Sequence, residues 1–220
     1  MKIGVLGTGV VGEAIATALA EKGHKVMMGS RTAGNEKAMA WVQKAGEMAR
    51  EGTFGEAALF GEILFLCLNG EHALNALAFA GLERFSGKVV VDITNPLDFT
   101  KGMPPRILQQ FSGGTSLGEE IQKTIPEAMV VKTLNTVNFN LMVDASKVAG
   151  GDHNLFICGN NAEAKNKVKQ FLSQNFNWKT DHLIDLGGIE SARAIEAIVP
   201  FWVLVYRSTG TPLFNFKIVQ

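Results

Sequence analysis

The amino-acid sequence of 220 residues predicts an α/β fold with a doubly wound, mainly parallel β-sheet. Over residues 1–150, short apolar runs alternate with stretches of helical composition, which is the pattern of repeated strand–helix–strand units. Over residues 151–220 the elements are more mixed, and they predict a small α+β C-terminal extension that packs on the first part. A hydrophobic content of 46% is enough for a well-filled core.

A glycine-rich turn follows the first predicted strand, Lys2–Leu6, and leads into a run of strong helix formers. Its pattern, G-x-G-x-x-G, is formed by Gly7, Thr8, Gly9, Val10, Val11 and Gly12. In this position Gly7 permits a tight turn, Gly9 lets a pyrophosphate approach the backbone, and Gly12 lets the helix pack closely on the strand. The helix N-terminus adds N–H groups without partners and a partial positive charge. Strand, turn and helix in this order predict a dinucleotide site of the Rossmann type.

The end of the second predicted strand, residues 25–29, indicates which dinucleotide is bound. NAD enzymes usually carry Asp or Glu there, which accepts a hydrogen bond from the ribose 2′-OH. This chain has Ser30, Arg31 and Thr32 instead, and a hydroxyl and a guanidinium can bind the 2′-phosphate of NADP. Two charge-assisted hydrogen bonds of about 1.5–3 kcal/mol each would favour NADP by roughly a hundredfold or more. Lys37 offers a third cation, so that residues 1–150 are predicted to form an NADP(H)-binding domain.

The composition excludes several kinds of partner. The 21 Lys and Arg residues balance 21 Asp and Glu residues without any basic run, which argues against nucleic-acid binding. The N-terminus has no signal-peptide pattern, and the apolar run at residues 197–206 is too short to span a bilayer, so that we expect a cytoplasmic protein without a membrane partner. Cys67 and Cys158 lie in separate apolar runs, where they are expected to be buried reduced thiols and not metal ligands.

The remaining elements of the first part are predicted to bring several loops together. Strands are predicted at residues 52–54, 62–68, 88–93 and 129–133, and helices at 35–50, 56–60, 73–77 and 119–124. A doubly wound sheet binds its ligands at the carboxyl ends of its strands. We therefore expect one site to be formed by the loops that contain Gly7, Ser30, Asn69, Asn95 and Asn135.

Residues 98–118 are rich in glycine and proline and have no clear periodicity. A loop of this length is often a lid or a binding loop, and a disordered excursion is the alternative.

The C-terminal extension is predicted to end in a long amphipathic helix and a strand-like tail. Its segments are a strand at 153–158, a helix at 162–172, an extended segment at 178–186, a helix at 190–207 and a tail that alternates from Phe214 onwards. Pro200 predicts a kink or a local break in the last helix. Apolar and aromatic residues recur in that helix at three- and four-residue spacing, so that its broad face is either core or the surface of a homodimer.

Nearly the whole chain resembles the coenzyme F420-dependent NADP oxidoreductase family, whose nucleotide domain is also similar to that of the STEAP metalloreductases. The segments that carry the resemblance are GTGVVG (7–12), GSRT (29–32), EHA (71–73), TNPL (94–97), VKTLNTV (131–137), FICG (156–159) and DLGG (185–188). The resemblance implies hydride exchange between NADPH and a flavin-like acceptor, which would be F420, FMN or FAD. It also implies which residues flank the nicotinamide ribose, namely Leu68, Asn69, Asn95 and Pro96.

In the same comparison Asn135, Thr136 and Val137 lie beside the acceptor ring. The positions after this Thr-Val pair tend to be small in the family, whereas this chain has Asn138 and Phe139. Phe139 either stacks on the acceptor ring or fills its space.

No residue is predicted to act as a general acid or base, which suits hydride transfer between two carriers. His72 and His182 are isolated, Lys132 is expected to form a local ion pair, and Tyr206 is expected in the core. One alternative is an NADPH-dependent reductase of a small carbonyl or imine substrate, but such enzymes carry a large helical C-terminal domain and this chain has only about 70 residues after Gly150. A non-enzymatic NADP sensor is a third hypothesis.

Overall fold

The computed structural model describes residues 1–220, and a β-sheet runs through its centre. In chain order the strands are β1 (Lys2–Leu6), β2 (Lys25–Ser30), β3 (Ala49–Thr53), β4 (Ile63–Leu66), β5 (Val89–Asp92), β6 (Leu97–Asp98), β7 (Arg106–Ile107), β8 (Met129–Thr133), β9 (Leu155–Cys158) and β10 (Leu183–Asp185). The helices are α1 (Val10–Glu21), α2 (Glu36–Ala45), α3 (Phe54–Phe60), α4 (Ala73–Ala80), α5 (Leu117–Thr124), α6 (Phe139–Met142), α7 (Ala162–Phe176) and α8 (Ala192–Thr209).

Eight strands form one sheet in the order β10-β9-β8-β5-β4-β1-β2-β3. All neighbours are parallel except β8 and β9, which are antiparallel. From β1 the chain proceeds outwards to β2 and β3, and from β4 it proceeds outwards in the other direction to β5 and β8. The strand order therefore reverses between β1 and β4, and a crevice outside the carboxyl ends at such a point is where doubly wound sheets bind ligands. The predicted fold class is confirmed.

The sheet is buried on both faces, as a mainly parallel sheet must be. In β4, Ile63 and Phe65 belong to one hydrophobic cluster, whereas Leu64 and Leu66 belong to the other. The first cluster includes residues of α1, α2 and α7, and the second includes residues of α3, α4, α5 and α8. Both clusters hold the strand ends in place, so that the loops beyond them start from fixed positions.

The helix predicted at residues 35–50 is too long, because α2 ends at Ala45. Gly46 caps it with φ of +73°, a conformation that favours glycine. The strand predicted at 52–54 begins earlier, since β3 starts at Ala49, which pairs with Val26 of β2. Backbone pairing with β2 thus overrides the helical composition of residues 49–50.

The last helix differs from prediction in two respects. α8 is unbroken through Pro200, so that the predicted local break is absent. Tyr206, expected in the core, is 39% exposed and lies against Trp202 with ring centroids 5.8 Å apart. The face that does enter the core carries Ile195, Val199 and other residues of the first three turns.

The tail after α8 is not a strand, although its sequence alternates. It crosses α8 instead, where Phe214 stacks on Trp202 at 5.0 Å between ring centroids and Phe216 stacks on Phe201 at 5.9 Å. Asn215 anchors the tail by donating to the carbonyl oxygen of Asn154 over 2.8 Å. The alternation therefore reflects aromatic packing against a helix and not sheet pairing.

Part of the segment 98–118 is regular. Leu97 pairs with Ile107 and Asp98 pairs with Arg106 in a small antiparallel ladder of β6 and β7, and α5 begins at Leu117. Its role as a lid or binding loop stays a prediction.

The C-terminal part adds β9 and β10 to the same sheet as the first 150 residues. The boundary at residue 150 and the homodimer through α8 stay predictions. None of the helices combines the length and the apolar character that crossing a bilayer requires.

Candidate functional site

The glycine-rich turn joins β1 to α1 in an open conformation. Gly7 has φ of +128°, and a Cβ there would collide with the backbone carbonyl of Cys67. A Cβ on Gly12 would collide with the carbonyl oxygen of Gly7, whereas Gly9 faces open space. Gly9 caps α1 without any side-chain hydrogen bond, so that the first N–H groups of the helix remain available to an anion.

The end of β2 supplies a hydroxyl and a guanidinium beside this turn. Ser30 is 4% exposed, and its Oγ donates to the carbonyl oxygen of Thr32 over 2.5 Å. Arg31 is exposed and lines the crevice together with Gly7 and Gly9. Lys37 lies in the first turn of α2, exposed and outside the crevice lining. The structure therefore brings Arg31 to the crevice, whereas Ser30, Thr32 and Lys37 do not line it.

The nucleotide crevice has a volume of about 360 Å³. Its lining residues are Gly7, Thr8, Gly9, Arg31, Phe54, Cys67, Leu68, Asn69, His72, Asn75, Ala76 and Phe79. The sequence analysis missed six of them, which are Phe54, Cys67, His72, Asn75, Ala76 and Phe79. The last of these is 71% exposed, and together with His72 and Asn75 it lies on one face of α4 and the turn before it. Spacings of three and four residues were the signal that could have found this face.

A second cavity adjoins the crevice and has a volume of about 610 Å³. We call it the acceptor cleft after the residues predicted to lie beside an acceptor. The two share Leu68 and Asn69, which lie between them. The cleft is lined mainly by apolar residues, and its lining residues are Val10, Val11, Leu68, Asn69, Gly70, Ile93, Asn95, Leu97, Phe99, Asn135, Thr136, Val137, Asn138, Phe139, Met142, Val199, Trp202 and Val203. All four residues predicted beside an acceptor line it. Of the predicted nicotinamide neighbours, Pro96 is buried and lines neither cavity.

Three lining residues from α8, namely Val199, Trp202 and Val203, were missed as site residues by the sequence analysis. The helix was assigned to core or to a dimer surface because its spacing only shows that one face is apolar. No local pattern says which ligand or element that face contacts.

Two asparagines hold the floor of the acceptor cleft together. Asn95 Nδ2 donates to the backbone carbonyl of Asn135 over 2.8 Å, and Asn135 Nδ2 donates to Asn95 Oδ1 over 2.9 Å. Leu134, just before this pair, has φ of +64°, which is unusual for leucine and turns the chain at the end of β8. Backbone carbonyls fix both amide orientations, since Asn135 Nδ2 also donates to the carbonyl of Ile195 over 3.4 Å.

Two buried polar side-chain atoms of the chain have no hydrogen-bond partner, and both belong to residues that line this cleft. They are Asn135 Oδ1, an acceptor, and Trp202 Nε1, a donor. Unpaired buried polar atoms are costly, so that a pair of them in one cleft is a signal of ligand binding.

The ionisable residues that line the nucleotide crevice are Arg31, Cys67 and His72, and none lines the acceptor cleft. Lys132 forms the expected ion pair, with Asp92 and also with Glu196. Burial lowers its pKa, but the two carboxylates more than compensate, so that the pKa of Lys132 is raised and the side chain stays charged. Burial raises the pKa of the Cys67 thiol, and it raises the pKa of Cys158 to about 12, which keeps both thiols protonated.

Comparisons with known proteins agree with this arrangement. A family model described as NADP oxidoreductase, coenzyme F420-dependent, matches residues 2–96. The F420-dependent NADP reductase of Methanocaldococcus jannaschii is 32% identical over 225 residues, which is 96% of each chain. The chain belongs to the F420-dependent NADP reductase family. It is therefore an NADP-dependent oxidoreductase, and the resemblance noted in the sequence is confirmed.

Three further proteins show how far the similarity in sequence and fold extends. A crystal structure described as a candidate F420-dependent NADP reductase from Arthrobacter sp. FB24 is 43% identical, with a TM-score of 0.92 over 100% of both chains. The metalloreductase STEAP3 of Rattus norvegicus is 28% identical over 91% of this chain but only 38% of its own length. A reductive aminase from Aspergillus terreus, with 19% identity and a TM-score of 0.65, shares the fold over 95% of this chain and 62% of its own.

Proposed function

We propose that this member of the F420-dependent NADP reductase family transfers hydride between NADPH and a deazaflavin of the F420 type. The observation that carries the proposal is the pair of cavities that meet at Leu68 and Asn69. One cavity has the features of a dinucleotide site, and the other offers an apolar cleft beside its nicotinamide end. Two redox carriers bound in adjoining cavities can bring their reacting atoms within about 3–3.5 Å, which direct hydride transfer needs.

In this proposal the turn between β1 and α1 holds the pyrophosphate. The backbone N–H groups at the start of α1 face the phosphates, and Gly9 leaves room for them because nothing lies within 4 Å of a Cβ placed there. Arg31 binds the 2′-phosphate, and the exposed ring of Phe79 covers the adenine end of the crevice. Leu68, Asn69 and Asn95 then lie beside the nicotinamide ribose.

The acceptor ring occupies the cleft in which Thr136, Val137 and Phe139 form one side and Trp202 forms another. The apolar lining suits a flat aromatic ring system. Asn135 Oδ1 and Trp202 Nε1 suit the polar edge of such a ring, because an edge with N–H beside C=O offers one donor and one acceptor. The residues present therefore fit a flavin-like or deazaflavin acceptor.

The protein's own residues act by binding and positioning. NADPH and the deazaflavin, when bound, supply the hydride donor and acceptor. The Asn95–Asn135 pair fixes the floor between the two rings, and the apolar cleft walls exclude water from the reacting atoms. The one proton that a deazaflavin takes up along with the hydride would come from solvent, because no titratable side chain lines the acceptor cleft.

A reductase of small imines is less well supported. The similarity to the Aspergillus terreus reductive aminase is that of the fold, and this chain spans 62% of that protein.

The proposal is tested with a panel of acceptors supplied to the purified protein. Consumption of NADPH is followed by its absorbance with F420, FMN or FAD as the acceptor. We expect turnover with F420 and at least tenfold lower kcat/KM with FMN or FAD. Tight binding of NADPH without turnover of any of the three would contradict the proposal and favour a sensor.

A further inference from the structure

Three charged side chains are buried together next to the acceptor cleft, and we refer to them as the buried charge cluster. Lys132 of β8 and Asp92 of β5 are 0% exposed, and Glu196 of α8 is 2% exposed. Lys132 Nζ lies 2.9 Å from Asp92 Oδ2 and 2.9 Å from Glu196 Oε1. The cluster therefore ties two strands of the sheet to α8, and none of its three members lines either cavity.

One arm of the cluster holds the residue that precedes Asn95. Lys132 Nζ donates its third hydrogen bond to the backbone carbonyl of Thr94 over 2.5 Å. Asp92 Oδ1 accepts from the Thr94 backbone N–H over 2.9 Å and from Thr94 Oγ1 over 2.7 Å. The backbone of Thr94 is thus held through both its N–H and its carbonyl group, directly before the cleft floor.

The other arm joins α8 to the start of α5. Glu196 Oε2 accepts from the backbone N–H of Leu117 over 3.0 Å, and Oε1 accepts from that of Gly118 over 2.9 Å. The close approach of α5 to α8 depends on glycine, because a Cβ on Gly118 would lie 2.8 Å from the Cβ of Ala192. The positive end of α5 balances the second carboxylate of the cluster, which would otherwise be a buried unpaired charge.

The cleft wall lies on the same helix as Glu196, about one turn further on for Val199 and two turns for Trp202. We propose that Glu196, acting through Lys132, is a positioning residue that fixes this wall against the Asn95 edge of the cleft. It sets how tightly the acceptor binds and how closely it approaches the nicotinamide, without touching either ligand. This inference rests on the proposed function, because it concerns the same cleft.

If the buried charge cluster only stabilised the fold, it would not need to lie beside the acceptor cleft. Buried ion pairs can often be replaced by apolar residues of similar volume without loss of stability. This cluster instead connects β5, β8 and α8, and each of them leads into residues that line the cleft. A displacement of about 1 Å between reacting groups can reduce the rate a hundredfold, so that fixing the wall has a direct kinetic consequence.

Glu196→Gln tests the positioning role. The amide keeps the shape of the side chain, but its Nε2 would face a backbone N–H that needs an acceptor, and the charge that pairs with Lys132 is lost. We expect the KM for the acceptor to rise roughly tenfold and kcat to fall. The Kd for NADPH, measured by titration, is expected to change less than twofold. An equal change in the KM for the acceptor and in the Kd for NADPH would overturn the proposal.

The matched control is Glu119→Gln. Glu119 pairs with Arg193, so that it also joins α5 to α8, but nearer the surface, where Glu119 is partly buried and Arg193 is exposed. The same chemical change there is expected to leave the acceptor KM within twofold of wild type. If Glu119→Gln raises KM as much as Glu196→Gln does, the effect belongs to the helix contact in general and the proposal is wrong.

Amide hydrogen exchange tests the proposal in an experiment that needs no acceptor. In Glu196→Gln we expect faster exchange in α8 and at residues 94–97, with no change in α1. Unchanged exchange in α8 would overturn the positioning role, whether or not the wild type reduces an acceptor. If exchange changes as expected but the wild type reduces no acceptor, the proposed function alone has failed. If Glu196→Gln does not fold, Glu196→Asp keeps the charge but shortens the side chain by one methylene, and we expect a rise of about two- to threefold in KM. A KM equal to that of wild type in Glu196→Asp would also contradict the proposal.

Discussion

At the level of single residues, we expect the choice between NADP and NAD to depend on Arg31. Its side chain lines the crevice, whereas the hydroxyl of Ser30 is already donated to the Thr32 carbonyl and is left as an acceptor. Arg31→Ala removes one charge-assisted contact of about 1.5–3 kcal/mol, so that the preference for NADPH over NADH should fall by roughly ten- to a hundredfold. Titration of wild type and variant with both nucleotides measures this.

Lys37→Ala is the control for that prediction. Lys37 is an exposed cation near the same strand end, but the structure leaves it outside the crevice lining. We expect it to change the preference by less than threefold. An unchanged preference in Arg31→Ala, or an equal loss in both variants, would show that the 2′-phosphate is held elsewhere.

Trp202→Phe should change stability and acceptor binding in opposite senses. The substitution removes a buried N–H without a partner but keeps an aromatic ring to stack on Phe214. We expect the free energy of unfolding to rise by up to about 1 kcal/mol, because an unsatisfied donor is lost. The KM for the acceptor should rise about five- to tenfold, because a hydrogen bond of about 1 kcal/mol to the ligand is lost.

Trp178→Phe is the matched control. Trp178 is 1% exposed, and its Nε1 donates to the carbonyl oxygen of Met142 over 3.0 Å. Here we expect lower stability in denaturant unfolding and an unchanged acceptor KM. A KM for Trp202→Phe equal to that of wild type would show that the indole N–H does not meet the acceptor.

The contrast between Arg31 and Trp202 explains what sequence could predict about the site. Arg31 and the glycines of residues 7–12 act within a few residues of a strand end, and a local pattern identifies them. Trp202 and Phe79 reach the cavities only because α8 and α4 pack where they do. Their spacing predicts an apolar helix face but does not say what that face contacts.

At the level of elements, prediction succeeded where local preference and tertiary pairing agree. β1, β4 and β8 are apolar and buried, so that both effects favour a strand. Prediction failed for β3, whose residues 49–50 follow a helical stretch but pair with β2. It failed also for the tail, where alternating phenylalanines pack on α8 and not on a sheet edge.

The loop after α6 should make the free energy of unfolding depend on pH in the acid range. Asp144 accepts hydrogen bonds from Asn177 Nδ2 at 3.0 Å, from Ser146 Oγ at 2.6 Å and from the Ser146 N–H at 3.1 Å. These bonds, the one from Asn177 first, lower the pKa of Asp144 below its ordinary value. A lowered carboxyl pKa stabilises the fold above about pH 4, and the contribution is lost as the pH falls through the folded pKa.

Asp144→Asn should therefore lower stability at pH 7 and reduce the loss of stability below about pH 4. Urea unfolding at several pH values measures both effects. A variant whose stability falls as steeply with acid as that of wild type would show that another carboxylate is responsible.

At the level of the whole molecule, the position of the site follows from the strand order. The change of direction between β1 and β4 could be expected from alternating strands and helices, together with the glycine-rich turn after β1. The reversal of β9 against β8 could not, because an apolar strand of four residues looks the same in either direction. That reversal returns the chain so that α8 can close the acceptor cleft.

One hydrophobic cluster contains Ile3 of β1, Leu155 of β9 and Phe171 of α7, so that it joins both ends of the chain. We therefore expect a single calorimetric unfolding transition, in spite of the boundary predicted at residue 150. NADPH at a hundred times its Kd should stabilise the fold by about 2.7 kcal/mol and raise Tm by about 5–10 °C. Two transitions, of which NADPH shifts only the one assigned to residues 1–150, would show that residues 151–220 unfold on their own. A single transition that moves as a whole requires that the cluster couples the extension to the nucleotide site.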